Sequence, residues 1–204
     1  LLLEMHKSDL AIYYARELAD MSNTKADQAL ADSNLGHAYV LKSEYGRAIE
    51  HQNRSLATRL KVLGPDHPDV AESFFRLGWA YCGKGDHDQS VKYYTQALAT
   101  RLKILAPTHP DVAESLGGLG TAYWEKGEYG RAIEYHEKSL AVRLKVLSQD
   151  HPDTAINYNN LGNDYLAIAE YGRAIEYLEK SVAIFLRTLG PEHPLVATGY
   201  SNIG

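Results

Sequence analysis

The sequence predicts an all-α protein, an α-solenoid of antiparallel helix pairs, from three observations. The dipeptide His-Pro recurs at steps of 42 residues, and Leu-Gly and Tyr recur at the same step. Within each copy, apolar residues follow the spacing of helices. No stretch alternates polar and apolar residues for long enough to indicate strands. Since one copy is too small to bury its own apolar face, we expect neighbouring copies to stack and share a core.

The repeat is defined by several motifs that share one spacing. The Leu-Gly pairs, each with a Tyr four residues after the Leu, begin at Leu35, Leu77, Leu119 and Leu161. The string EYGRAIE occupies 44–50, 128–134 and 170–176, and diverges to DHDQSVK at 86–92. These motifs predict four repeats (25–66, 67–108, 109–150 and 151–192) and two partial repeats (1–24 and 193–204).

Each repeat is predicted to contain two helices. The first helix begins at His-Pro-Asp, because proline suits the first helical position and aspartate suits the positive end of the helix dipole. Gly85 and Gly127 suit the turn that ends it, whereas the first and fourth repeats lack this glycine. In the third repeat the second helix is predicted from about Tyr129 to about Leu147.

The glycine of each Leu-Gly pair lies in the middle of a predicted helix. A glycine there costs about 1 kcal/mol relative to alanine, so we expect a compensating close contact between two helices. Small residues recur at one phase of the second helix and are the expected partners. They are Ala48, Ser90, Ala132 and Ala174.

The spacing of Leu-Gly, Tyr and this small residue resembles the tetratricopeptide repeat. That family's usual period is 34 residues, and the eight extra residues fit a longer second helix plus the His-Pro-Asp start. The 42-residue form is similar to the repeats of kinesin light chains. The resemblance implies a right-handed superhelix whose first helices line a concave groove. It also implies a non-catalytic scaffold that binds a protein or peptide ligand.

Candidate peptide-binding residues follow from the phase of the first helices, at positions that vary while the framework does not. Asn can pair with a peptide backbone, Arg with a carboxylate, and aromatic rings with apolar side chains. The candidates are Asn34, His37, Phe75, Arg76, Trp79, Trp124, Asn159, Asn160 and Asn163. The alternatives are solvated asparagines, tryptophans that pack between repeats, and an Arg76 that pairs with Glu72 one turn earlier.

Two further features leave alternatives open. Gly117, Gly118 and Gly120 in one helix indicate either a pocket beside Trp124 or local drift of one repeat. The recurring arginines of the long second helix form either a solvated or repeat-bridging ladder or a binding strip; they are Arg59, Arg101 and Arg143.

The ends of the chain suggest a second function. Residues 10–20 resemble a second helix without its partner, and 194–204 a first helix without its partner. Neither end looks capped, because the cluster 1–3 and Val196, Tyr200 and Ile203 are apolar. The alternative to ligand binding is therefore a structural spacer or an array that self-associates end to end.

Composition excludes several other classes. A net charge of -5 gives no electrostatic argument for nucleic acid or an anionic membrane, and no apolar run approaches the length of a membrane helix. A single cysteine, Cys82, excludes an internal disulfide framework and fits a cytoplasmic protein. The repeated histidines should lie about 10 Å apart, too far to share a zinc ion. We expect no cofactor, no metal and no catalysis.

Overall fold

The computed structural model describes residues 2–21 and 24–203, without the side chains of 2–8 and 19. Throughout these residues the regular structure is helical. The helices are α1 (Leu2–Asp20), α2 (Lys25–Leu41), α3 (Tyr45–Leu63), α4 (Pro68–Lys84), α5 (His87–Ile104), α6 (Pro110–Glu125), α7 (Tyr129–Val146), α8 (Pro152–Ala167), α9 (Tyr171–Leu189) and α10 (Pro194–Ile203). The predicted all-α class is confirmed.

The chain forms two compact units, one ending at Ile104 and the next beginning at Leu105. In the N-terminal unit α2 pairs with α3 and α4 with α5, while α1 packs on α2 and α3 on α4. In the C-terminal unit α6 pairs with α7 and α8 with α9, while α7 packs on α8 and α9 on α10. Within each unit every helix pair is thus covered by its neighbour, as in a repeat solenoid.

The first helices of three repeats begin as the motif His-Pro-Asp predicts. Proline occupies the first turn, and the histidine before it is the N-cap residue. Its Nδ1 accepts a hydrogen bond from the backbone N–H of the aspartate, at 3.1–3.2 Å. The three capping histidines are His67, His109 and His151. Their recurrence is therefore explained by helix capping, a role that aspartate or serine fills more often.

The turn between the paired helices requires a left-handed residue in all four repeats. Gly85 and Gly127 provide it with φ of 83° and 75°. In the first and fourth repeats Ser43 and Ala169 take the same conformation, each with φ of 59°. Because a Cβ is strained there, these two turns keep the geometry of the repeat without its preferred residue.

The Leu-Gly glycines face larger side chains in addition to the expected small residues. Ser90 Oγ donates to the backbone oxygen of Gly78 at 2.9 Å, and a Cβ on Gly162 would lie 3.3 Å from the backbone oxygen of Ala174. A Cβ added to any of them would lie 2.4–2.9 Å from atoms of a second-helix side chain. The glycine and side-chain pairs are Gly36 with Gln52, Gly78 with Tyr94, Gly120 with His136, and Gly162 with Leu178. The glycines therefore make room for a buried side chain whose identity changes from repeat to repeat.

Two of the three recurring second-helix arginines, Arg59 and Arg143, bridge one repeat to the next. The third, Arg101, instead donates to Glu72 of its own repeat at 3.0 Å. Arg59 of α3 donates to the backbone oxygen of Asp69 at 2.9 Å and to Ser73 Oγ at 2.8 Å, both on α4. Arg143 of α7 donates to the backbone oxygen of Asp153 on α8. Burial lowers the pKa of both bridging guanidinium groups, although they stay charged. Arg59 and Arg143 thus each join one repeat to the next inside their own unit.

The apolar residues predicted at the C-terminal end differ in burial. Val196 is buried against Ala155, Ile184 and Phe185, so it is part of the core and not an open face. Tyr200 is exposed and Ile203 is half-buried. At the other end, the cluster 1–3 lies outside the residues whose side chains are described.

Candidate functional site

The predicted binding residues lie on first helices and form two groups, one in each unit. Asn34 and His37 lie on α2, and Phe75, Arg76 and Trp79 lie on α4. In the C-terminal unit, Trp124 lies on α6, and Asn159, Asn160 and Asn163 lie on α8. Each group is described by itself below.

In the N-terminal unit, His37 and Trp79 lie side by side on neighbouring first helices. Their ring centroids are 5.4 Å apart, and Trp79 remains 39% exposed. Burial lowers the pKa of His37, and the nearby charge of Arg76 lowers it further, against the opposing effect of Glu72. The imidazole is therefore neutral at neutral pH, and the two rings present an aromatic surface.

Arg76 pairs with Glu72, which was the structural alternative for this residue. Its Nε donates to Glu72 Oε1 at 2.6 Å, and Arg101 of α5 donates to Glu72 Oε2 at 3.0 Å. Arg76 Nη1 is buried and has no hydrogen-bond partner among the described residues. Because Glu72 already offsets its charge, Arg76 offers less to an acidic ligand than its position alone indicates.

Phe75 belongs mainly to the interior of the N-terminal unit. The Arg101 guanidinium lies 4.8 Å from its ring centroid, and the Tyr94 ring 5.2 Å. Phe75 and Asn34 are both half-buried. Trp79, which is exposed, therefore presents more surface than the other residues of this group, which are half-buried.

In the C-terminal unit, a cavity of about 190 Å³ opens between α6 and α8. We call it the α6–α8 cavity. Three of the predicted residues line it: Trp124, Asn160 and Asn163. The other lining residues are Thr121, Glu125, His136 and Asp164. The sequence phase thus brings one ring and two amides to a single concave site.

Asn159 lies next to this group and is connected to it by hydrogen bonds. Asn202 of α10 donates from Nδ2 to Asn163 Oδ1 at 3.2 Å and to Asn159 Oδ1 at 3.5 Å. The oxygens of these two amides therefore already have a donor, whereas Asn160 has no such tie to α10. Of the three neighbouring asparagines, Asn160 is the one whose amide is most available to a ligand.

A buried pair on the cavity wall was not predicted from the sequence. His136 Nδ1 and Asp164 Oδ2 are 2.6 Å apart, and the residues are only 2% and 1% exposed. Burial raises the pKa of Asp164, and the hydrogen bond from His136 opposes this. One signal was present: Asp164 occupies the repeat position that holds alanine in the other repeats, at Ala38, Ala80 and Ala122.

Polar contacts hold the His136 segment in place. Asn157 of α8 donates from Nδ2 to the backbone oxygen of His136 at 3.0 Å. Ser139 of α7 donates to the backbone oxygen of Ala113 on α6 at 2.7 Å. The histidine is therefore fixed between α6 and α8, and Gly120 provides the space for its ring.

The glycine run has a different role from the pocket considered above. The cavity does lie beside Trp124, but Gly117 and Gly118 are not among the residues that line it. A Cβ on Gly117 would meet only Ser139 Oγ, at an ordinary 3.5 Å. Of Gly117 and Gly120, only Gly120 has a steric requirement, which is the ring of His136.

The described part of the chain holds neither a metal-binding cluster nor a membrane-crossing helix. Its His, Cys, Asp and Glu side chains form no group of three or more that could hold a metal ion. None of its helices is both long enough and apolar enough to cross a membrane.

Stacked helix pairs that display variable residues from their first helices define a helical-repeat scaffold of the α-solenoid class. The sequence profile of the tetratricopeptide repeat matches residues 27–103, 80–145, 111–186 and 153–204. The chain therefore belongs to the tetratricopeptide repeat family, as the motifs indicated. Repeats of this family generally serve as non-catalytic scaffolds for protein–protein interaction.

Solved structures agree with this assignment. One similar structure is that of a Podosopora anserina protein with nearly identical TPR-like repeats, assigned as a kinesin light chain. Its sequence is 27% identical and its TM-score is 0.74; the match covers 89% of this chain and 86% of that one. BtubC from P. vanneervenii is 22% identical with a TM-score of 0.74, over 92% and 73%. A Rap protein complexed with competence and sporulation factor is 14% identical with a TM-score of 0.75, over 98% and 60%, and shares the fold alone. No curated protein matches the chain significantly.

Proposed function

We propose that the chain is a non-catalytic scaffold that binds a peptide segment through its first helices, with the α6–α8 cavity as the main anchor. The observation that carries this is the convergence of Trp124, Asn160 and Asn163 on one cavity. The exposed indole of Trp124 and the amide of Asn160 suit a peptide side chain and its backbone. The rings of His37 and Trp79 are a second contact surface in the N-terminal unit.

A peptide-display selection against the whole chain tests this proposal. We expect enriched peptides to lose at least tenfold in affinity on Trp124→Ala or Asn160→Ala, since both changes remove cavity contacts. The matched control is Asn53→Ala, because Asn53 is an exposed asparagine on α3 outside the cavity. Trp79→Ala reports separately on the second surface.

Equal affinities in the wild type, Trp124→Ala and Asn160→Ala would refute the cavity as an anchor. An equal loss in the Asn53→Ala control would mean that the effect is not local. Selection that enriches no peptide would refute peptide binding itself.

End-to-end stacking is the alternative function. Val196, one of the apolar residues that suggested it, is a core residue. Sedimentation velocity over a hundredfold concentration range tests it: we expect an unchanged sedimentation coefficient. Growth with concentration that Tyr200→Glu abolishes would support stacking instead. The cytoplasmic location stays a prediction.

A further inference from the structure

The α6–α8 cavity carries an excess of negative charge. Two carboxylates, Glu125 and Asp164, are among the residues that line it, and none of those residues is Lys or Arg. The ionisable side chain that influences the pKa of Asp164 is His136. The side chains that line the cavity thus include two acidic groups and neither lysine nor arginine.

The buried pair leaves two polar atoms open. His136 Nε2 and Asp164 Oδ1 are both buried and have no hydrogen-bond partner among the described residues. With the shared proton assigned to His136 Nδ1, which then donates to Asp164, both open atoms are hydrogen-bond acceptors. A buried acceptor without a donor is unfavourable, so a ligand that brings N–H groups would complete the site.

The framework of the repeat does not require this pair. The position of Asp164 holds a buried alanine in the other three repeats, and the position of His136 holds Gln52, Tyr94 or Leu178. Since packing alone is served by apolar or neutral residues at these positions, a buried carboxylate with an open oxygen indicates a ligand.

The shape of the cavity limits what can enter. Its volume of about 190 Å³ holds several waters at about 30 Å³ each but is below the size of about 300 Å³ at which pockets for drug-sized molecules begin. The end of one long side chain fits this space. The Trp124 ring on the wall adds a face over which a cation can lie.

We infer that the α6–α8 cavity binds the ammonium or guanidinium group of a Lys or Arg side chain in the peptide ligand. This rests on the proposed peptide-binding function and names the side chain that anchors the peptide. Asp164 Oδ1 and His136 Nε2 accept its N–H groups, Trp124 covers the cation, and Asn160 holds the adjoining peptide.

Small amides that mimic single residues test the site directly. The probes are N-acetyl-arginine amide and N-acetyl-lysine amide, with N-acetyl-norleucine amide and N-acetyl-glutamate amide as controls for chain length and charge. The readout is the indole N–H resonance of Trp124 in ¹⁵N-labelled protein. The chain has two tryptophans, so the resonance of Trp79 in the other unit is an internal reference.

Two variants should fold because the chain already uses their residues at the same phase. Asp164→Ala restores the alanine of the other repeats, and His136→Gln copies Gln52. We expect both cationic probes to shift the Trp124 resonance in the wild type, with affinity reduced about tenfold or more by Asp164→Ala. His136→Gln keeps an acceptor, so we expect a smaller loss.

The inference fails if the norleucine or glutamate probe shifts Trp124 as much as the cations do, if Asp164→Ala leaves the affinity unchanged, or if no probe shifts Trp124. Its failure is distinguishable from that of the proposed function. Display-selected peptides that need Trp124 and Asn160 but lack a basic residue and ignore Asp164→Ala would refute only the inference. Peptides that bind without Trp124 and Asn160 would refute the proposed function.

Discussion

At each Leu-Gly glycine, the missing Cβ lets a second-helix side chain reach the first-helix backbone. The side chain differs in each repeat: glutamine, tyrosine, histidine and leucine in turn. The type of side chain at this second-helix position therefore varies between repeats, although the backbone of each helix pair is the same. In the third repeat the residue is His136, and Asp164 from the following repeat completes its hydrogen bond.

The glycines of α6 should therefore differ in their tolerance of alanine. Gly120→Ala places a Cβ 2.4 Å from His136 Cδ2, and we expect it to lower the free energy of unfolding by about 1–3 kcal/mol. Gly117→Ala meets only an ordinary contact and should be neutral or stabilising by up to about 1 kcal/mol. Urea denaturation measures both. Equal effects of the two changes would contradict the steric role of Gly120.

The left-handed turns give a reciprocal pair of changes. We expect Ala169→Gly to raise the free energy of unfolding by about 0.5–1 kcal/mol, because Ala169 has a φ of 59° that strains a Cβ. Gly127→Ala, at the same phase, should lower it by about 1 kcal/mol. Gly130→Ala, three residues later in a helix with open space around it, is the control. Loss of stability on Ala169→Gly would contradict the account of this turn.

The buried carboxylate predicts how stability depends on pH. Burial raises the pKa of Asp164, so its stabilising effect is complete below the pKa of the unfolded chain and is lost as the pH rises through the higher folded pKa. The stability of Asp164→Asn relative to the wild type should therefore increase as the pH rises above about 4, the ordinary pKa of an aspartate. His136, which faces the group, is present in both proteins.

Thermal unfolding of the two proteins at several pH values measures this difference. Glu50→Gln, at an exposed carboxylate on α3, is the control for general charge effects. A relative stability of Asp164→Asn that stays constant or falls as the pH rises would contradict the pKa direction.

At the scale of helices, polar hydrogen bonds act both within a repeat and between repeats, in addition to apolar packing. Ser55, Ser139 and Ser181 each donate to a backbone oxygen of the first helix in the same repeat, at 2.7–2.8 Å. Arg59 and Arg143 act between repeats and donate to backbone oxygens near the start of the next first helix. These bonds fix the rotation of each helix and so determine which residues it displays.

Arg59 tests the bridging role. Arg59→Met keeps the length of the side chain but removes its bonds to Asp69 and Ser73, and we expect it to lower the free energy of unfolding by about 2 kcal/mol. The control is Arg54→Met on the same helix, since Arg54 makes exposed ion pairs with Asp32 and Glu50 that are worth less than about 1 kcal/mol. Equal losses in urea denaturation would contradict the bridge.

At the scale of the whole molecule, the constant spacing of Leu-Gly and His-Pro was enough to predict the fold, because each motif determines a helix start or a helix contact. Helix phase also predicted that Trp124, Asn160 and Asn163 share one surface, and all three line the α6–α8 cavity. Contacts that cross between helices could not be read in this way. The pairing of Arg76 with Glu72 was one of two alternatives, and the His136–Asp164 pair joins residues 28 positions apart.

The burial of Arg59 shows the same limit. A charge that recurs at one phase looks like a solvated face, and only the position of the next helix reveals the backbone oxygen that it bonds. The departure of Asp164 from the alanine of its phase was visible in the sequence, but its meaning depended on the histidine opposite.

The most direct test of the account is a crystal structure of the whole chain with a display-selected peptide. We expect the peptide to lie against α6 and α8, with a basic side chain in the α6–α8 cavity and its backbone beside Asn160. A peptide bound on the second helices, with the cavity empty, would contradict the account.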